Sequence, residues 1–170
     1  MLRQVLNAHP DVRRIHMGAD EAYNFAKDER CRKNLRENYG GSKERLQAYH
    51  VSNNPRIETV FMWYDMFEFS SVDDMREYDL GSLVVPVNWG YRENIAIGYF
   101  PPAMFERFSQ VFSEQVLASA FKGGNGPTNV FIDVRRYLRN QQSHIRLLEN
   151  NPTLNNQTKT IVMTGWSRIT

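Results

Sequence analysis

Two adjacent carboxylates, Asp20 and Glu21, follow a short apolar run at residues 12–17 and a glycine, Gly18. Such a pair repels itself as two anions, so one member is inclined to keep its proton, which is what a general acid needs. An acidic pair at a helix start also has a plainer origin, because the helix dipole favours Asp and Glu there. Trp63, Trp89 and Trp166 are the chain's three tryptophans, and each falls at or just after the C-terminal end of a predicted strand. An indole offers a broad apolar face whose burial contributes strongly to binding. Taken singly each tryptophan reads as core; at the same end of successive strands they read as the wall of a site. Asp65 follows Trp63 by two residues and in an extended chain points to the same side. Tyr91 follows Trp89 by two. His16 ends the first apolar run, where a lone histidine is commonly a hydrogen-bonded core group. Gly18 reads as a backbone device that permits a sharp turn.

These residues need elements to hold them. A strand feeding through a glycine into a helix is a βα loop, and in α/β barrels such loops carry the chemistry. Residues 2–9 read as the end of a helix, Pro10-Asp11 as a turn and 12–17 as a first strand. A helix is expected over about 22–38, stopped by Gly40-Gly41. Ser42 then caps a second helical piece reaching about Ser52, and Asn53-Asn54-Pro55 is a turn. A second strand, 59–63, is apolar almost throughout, as when helices cover both faces. A short acidic helix over 71–78 leads to a third strand, 82–87. A helix over about 103–112, a fourth strand over 116–120 and a glycine-rich loop over 121–126 follow. Thr128 caps the longest helix, to about Glu149, with Val130, Val134, Tyr137/Leu138, Ile145 and Leu148 as its apolar stripe. A polar turn over 150–156 precedes a fifth strand, 160–164. Strands alternating with helices imply parallel pairing through right-handed crossovers.

The 170 residues suffice for one domain with a real core. Apolar residues make up 41% and charged residues 24%, the balance of a globular protein. A net charge of +2 is too mild to argue for nucleic acid. The single cysteine, Cys31, excludes an internal disulfide and a cysteine-based zinc site. His9, His50 and His144 share no metal-ligand spacing. The first ten residues lack the apolar core of a signal peptide, and no apolar run is long enough to span a bilayer. The sequon Asn156-Gln157-Thr158 therefore reads as chance, Lys122 as exposed, and the cluster Arg135-Arg136-Arg139 as a solvated face.

The order His16-x-Gly18-x-Asp20-Glu21 resembles the catalytic motif of the family-twenty glycoside hydrolases, the β-N-acetylhexosaminidases, and within them the hexosaminidase D branch. Met62-Trp63-Tyr64-Asp65-Met66, Pro86-Val87-Asn88-Trp89-Gly90-Tyr91, Ala118-Ser119-Ala120-Phe121-Lys122-Gly123 with Gly126-Pro127, and Thr164-Gly165-Trp166-Ser167-Arg168 follow in the branch's order and cover nearly the whole chain. The resemblance implies a substrate-assisted, retaining mechanism, an exception among glycosidases. The sugar's 2-acetamido oxygen attacks the anomeric carbon, Glu21 serves as acid and then base, and Asp20 orients the acetamide. It implies substrate-binding roles for His16, Trp63, Asp65, Trp89, Tyr91, Trp166 and Arg168, and no cofactor. Trp63 and Trp89 match walls of the acetamide pocket, and Trp166 matches the residue under the sugar ring. The branch usually shows two acids after the first tryptophan, where this chain has Tyr64 and Asp65. Arg168 stands where many relatives carry an acid, which leaves galacto against gluco preference open.

The expected fold is α/β, a partial TIM (β/α)8 barrel of about five parallel strands, the fourth to eighth of the full set. A complete barrel takes ~250 residues, so residues 1–170 are expected to be the C-terminal portion of a single catalytic barrel with its N-terminal strands missing, and inactive alone. The expected partner is a glycan or glycoconjugate with terminal N-acetylhexosamine, with no nucleic acid and no membrane; a homodimer is admitted. The expected location is the cytoplasm or nucleus. The rival reading is a catalytically inactive relative that binds amino sugars.

Overall fold

The computed structural model describes residues 2–21, 24, 26–41, 57–126, 129 and 131–166. The helix expected over 42–52, the turn over 53–55, the Thr128 cap, Val130 and Arg168 lie outside them. Helix α1 spans Leu2–Ala8, strand β1 Arg14–His16, helix α2 Glu29–Tyr39 and strand β2 Thr59–Trp63. A 3₁₀ turn, Tyr64–Met66, follows β2 directly. Then come α3 Val72–Glu77, α4 Leu80–Leu83, β3 Val84–Trp89, α5 Met104–Ser109 and β4 Gln115–Lys122. The chain continues through α6 Val134–Asn150, α7 Pro152–Gln157 and β5 Thr158–Gly165.

The five strands form one parallel sheet in chain order, β1-β2-β3-β4-β5. The sheet is curled. Adjacent strands lie about 4.8 Å apart, so β2 and β5 would be about 14 Å apart in a flat sheet. Yet the rings of Trp63, at the end of β2, and Trp166, just past β5, have centroids 6.1 Å apart. Arg14 of β1 likewise comes within 3.7 Å of Glu114, which immediately precedes β4. The result is a half-barrel with helices between the strands, as the alternation of elements predicts.

Residues along each strand alternate between two apolar environments. Val60 and Met62 of β2, Val84 of β3 and Leu117 of β4 meet the helices, packing with Phe105, Phe108, Leu147 and Leu154. Phe61, Trp63, Val87, Val116 and Ala118 cluster on the other face. The near-continuous apolar character of β2 therefore arises from one helix-covered face and one barrel-interior face, not from helices on both.

Several boundaries differ from expectation. The helix expected from 22 begins at Glu29. Ala26 has φ +57°, outside the helical region, and the Asp28 side chain accepts the Cys31 N–H as cap. Gly40, at φ 59°, ends α2 as expected. The third strand starts two residues late because Leu80–Leu83 coils into α4. The longest helix starts at Val134, capped by Asp133, whose carboxylate accepts the Arg136 N–H. The polar turn at 150–156 is mostly helix α7, opened by Pro152, whose missing N–H costs nothing at a first helical position. The strands β4 and β5 run longer than predicted at both ends.

The stripe assigned to the longest helix is also wrong in part. Val134 is 71% exposed, Leu138 56% and Ile145 50%. The buried face of α6 is Tyr137, Asn140, Ser143, His144 and Leu147. Its polar members are buried because a loop at the ends of the strands offers them main-chain partners.

Candidate active site

After β1 the chain turns through left-handed backbone: φ is +71° at Gly18, +63° at Ala19 and +47° at Glu21. Residues with a Cβ avoid this region by about 1–2 kcal/mol each, so tethers must hold them. The His16 Nδ1 accepts the Gly18 N–H at 2.9 Å. The Gly18 carbonyl accepts the Trp63 N–H at 3.3 Å. The Asp65 Oδ2 accepts the Glu21 N–H at 2.6 Å. The first bond fixes the His16 tautomer: with Nδ1 accepting, the proton sits on Nε2. The Trp63 ring centroid is 4.4 Å from that of His16; desolvation by burial lowers the His16 pKa, and Asp20 pulls the other way.

The loop delivers Asp20 and Glu21 to the mouth of a cleft of about 400 Å³, its open side included, whose other lining residues are Trp63, Trp89, Tyr91 and Trp166. Both carboxylates are exposed at the rim, while Trp63 is buried to 8% and Tyr91 to 9%. The Trp89 and Tyr91 rings stack at 5.4 Å with their planes 23° apart. Tyr91 meets Trp166 edge-on at 6.0 Å. Burial pushes the Tyr91 phenol up to about 12, so it remains an O–H donor across the neutral range. The cleft thus offers two carboxylates at its mouth, apolar ring faces on its walls and a hydroxyl donor among them.

Of the residues singled out from sequence, Asp20, Glu21, Trp63, Trp89, Tyr91 and Trp166 come together in this lining. His16 lies beside them, on the hollow side of the sheet with Arg14 and Phe61. Asp65 sits next to the cleft, bonded to Glu21 and, through Oδ1, to the Trp89 indole N–H at 3.1 Å. Arg168 lies outside the described residues. No three His, Cys, Asp or Glu side chains among the described residues are grouped to hold a metal ion.

Sequence reasoning missed the supports. Arg136 donates to the Tyr91 carbonyl at 3.2 Å and the Gly124 carbonyl at 3.4 Å, so the arginine cluster on α6 is not purely a solvated face. The Asn140 amide donates to the carbonyls of Gly90 at 2.8 Å and Arg92 at 2.6 Å. The His144 Nε2–H donates to the Gly90 carbonyl at 3.1 Å. Together they fix the main chain on both sides of Tyr91. Polar residues at 136, 140 and 144 recur every four positions, a one-face signal present in the sequence. Gly123 is the other support. A Cβ there would lie 2.6 Å from the Trp166 carbonyl oxygen and 2.7 Å from its Cβ, so only glycine lets the loop pass.

The fold and the cleft define an α/β half-barrel protein with an acid-and-indole site at its strand ends. The chain is similar to hexosaminidase D of Homo sapiens, 29% identical over 175 residues that take in 99% of this chain and 35% of the relative. It is equally similar, at 29% over 176 residues, to hexosaminidase D of Bos taurus, covering 99% of this chain and 50% of that one. No family model matches the chain. The resemblance read from the motifs therefore extends over the whole chain, which itself spans between about a third and a half of these relatives' length.

Proposed function

We propose that this chain carries the catalytic carboxylates of an exo-β-N-acetylhexosaminidase that releases terminal β-linked N-acetylgalactosamine or N-acetylglucosamine. The observation that supports this best is the meeting of Asp20 and Glu21 with three tryptophans in one cleft. In this reading Glu21 protonates the glycosidic oxygen as it departs, then deprotonates the water that opens the cyclic oxazolinium intermediate. The nucleophile is the substrate's own acetamide oxygen. Asp20 accepts a hydrogen bond from the acetamide N–H, aiming that oxygen at the anomeric carbon and stabilising the positive charge that develops. Adjacent positions serve these two roles because the acetamide and the leaving oxygen sit on neighbouring sugar carbons. Trp63 and Trp89 enclose the acetamide methyl, Trp166 lies under the ring, and the Tyr91 hydroxyl donates to the acetamide carbonyl. His16, with its proton on Nε2, supports the carboxylate loop. Arg168 is assigned to substrate binding by the resemblance alone. No cofactor enters this scheme.

The half-barrel leaves one side of the cleft open, so little or no turnover is expected of this chain by itself. Binding tests the reading directly. A thiazoline that mimics the cyclised intermediate is expected to bind at least about 100-fold more tightly than N-acetylglucosamine, because only a site built for the transition state prefers that mimic. Asp20→Asn is expected to remove the preference. Equal affinity for the two would favour the rival, an amino-sugar-binding relative without catalysis. The natural glycan and any cytoplasmic or nuclear location belong to the proposal. No helix among the described residues is long and apolar enough to cross a membrane.

A further inference from the structure

We infer that Asp65 is a positioning residue: one carboxylate that ties the main chain of the proton donor to a tryptophan wall of the cleft. This rests on the reading of Glu21 as acid and base. The family resemblance alone suggests that Asp65 bonds a sugar hydroxyl. The geometry points elsewhere.

Asp65 is absent from the cleft lining, although its neighbour Trp63 is there. Each of its oxygens already has a partner: Oδ2 accepts the Glu21 N–H at 2.6 Å and Oδ1 the Trp89 indole N–H at 3.1 Å. The partners come from different elements, one from the loop after β1 and the other from the end of β3. Asp65 itself lies in the 3₁₀ turn that follows β2 without a spacer, so its backbone is fixed by the sheet. Three consecutive strands are thereby joined at their C-terminal ends by one side chain. A charged acceptor forms bonds roughly twice as strong as a neutral one.

The left-handed backbone at Glu21 gives the clamp its purpose. At φ +47° a glutamate is in a conformation it would leave if free. Holding its N–H sets where the side chain departs from the main chain, and so where the acid stands. The second bond locks the Trp89 indole in its plane. The acid and the wall then keep one spacing regardless of what the exposed loop does. Besides Glu21, the titratable neighbours of Asp65 include Glu68, raised by burial and then by Asp65, and Tyr64, raised chiefly by burial. Neither takes part in the clamp.

The test compares ¹H–¹⁵N spectra of the whole chain and its Asp65→Asn variant, with the Glu21 amide and the Trp89 Nε1–H assigned. Asparagine keeps the size and one acceptor oxygen and turns the other acceptor into a donor. In the wild type both protons are expected to exchange with deuterium at least about tenfold more slowly than unbonded amides. In the variant at least one is expected to shift upfield and exchange about tenfold faster, while the Leu117 amide in mid-β4 is unchanged. Unmoved signals in a folded variant would overturn the clamp. So would wild-type protons that exchange at the unbonded rate, a measurement that decides the matter even if Asp65→Asn fails to fold. In turnover, the clamp predicts kcat lowered about 10–100-fold with KM within about threefold. A hydroxyl contact predicts unmoved spectra and a raised KM at constant kcat. A wild-type chain that shows no preference for the thiazoline counts against the hydrolase reading alone, and the spectra still decide the clamp.

Discussion

Glu21 has a side chain suited to proton transfer and a backbone that no glutamate chooses unaided. Its replacement by glutamine keeps the shape and removes the proton. On an alkyl N-acetyl-β-hexosaminide, Glu21→Gln is expected to lower kcat about 10²–10⁴-fold, the usual worth of a positioned acid. On a nitrophenyl glycoside, whose leaving group departs without help, the loss is expected to be smaller; equal losses on both would remove the acid role. Gly18 is a second case in which one residue type decides. A Cβ there would meet nothing closer than Asp20 Oδ1 at 4.0 Å, so space is not the issue, but φ is +71°. Gly18→Ala is expected to lower unfolding free energy by about 1 kcal/mol in urea titrations, from backbone strain alone. The lining of the cleft was legible because residues at strand ends announce themselves locally: a break in an apolar run, then an acid or an indole. The partners of Asp65 were not, because its bond to Glu21 joins residues 44 apart and no local pattern encodes such a distance.

Among the elements, α6 shows where pattern reading fails. Val134, Leu138 and Ile145 recur at helical spacing and look like a core stripe, yet they face solvent. The sheet-facing side instead presents Asn140, Ser143 and His144, each fully buried, because the segment after β3 arrives there with unpaired main-chain groups. Ser143 Oγ accepts the N–H groups of Ile95 at 2.7 Å and Ala96 at 3.1 Å. Buried carbonyls and amides must find partners, and that demand outweighs hydrophobic matching on this face. Asn140→Ala would strip the side-chain donor from the Arg92 carbonyl and leave the Gly90 carbonyl to His144 alone. A loss on the order of 3 kcal/mol in urea unfolding is expected, with weaker thiazoline binding because Tyr91 sits between those two carbonyls. By contrast β2 was legible to the residue, since Thr59–Trp63 follows the polar Glu58, is apolar almost throughout and ends just before Tyr64-Asp65. Boundaries at Glu29 and Val134 were less so, because several acids and hydroxyls compete to cap each helix and only tertiary geometry chooses among them.

For the whole molecule, acidity and closure matter most. His144 is fully buried, donates from Nε2 to Gly90 and has no partner at Nδ1 among the described residues, and burial lowers its pKa from 6.5 to about 4. Between those values the unfolded chain binds a proton that the folded chain refuses. Stability from this group is therefore complete above about pH 6.5 and is lost as pH falls toward 4, by on the order of 3 kcal/mol. The urea midpoint is expected to fall over that interval, and less steeply in His144→Gln. Closure is a matter of the sheet's two outer strands. Among the described strands β1 and β5 each have one neighbour only, so Trp166 is kept near Trp63 by curvature rather than by a completed ring. In a half-hoop of this kind the spacing of the two indoles depends on the curvature of the whole sheet, and so on strands far from the chemistry. A ligand wedged between the two indoles would brace that curvature like a strut. Deuterium uptake along the whole of Thr158–Gly165 is then expected to slow when the thiazoline binds, well beyond the residues that the ligand itself reaches.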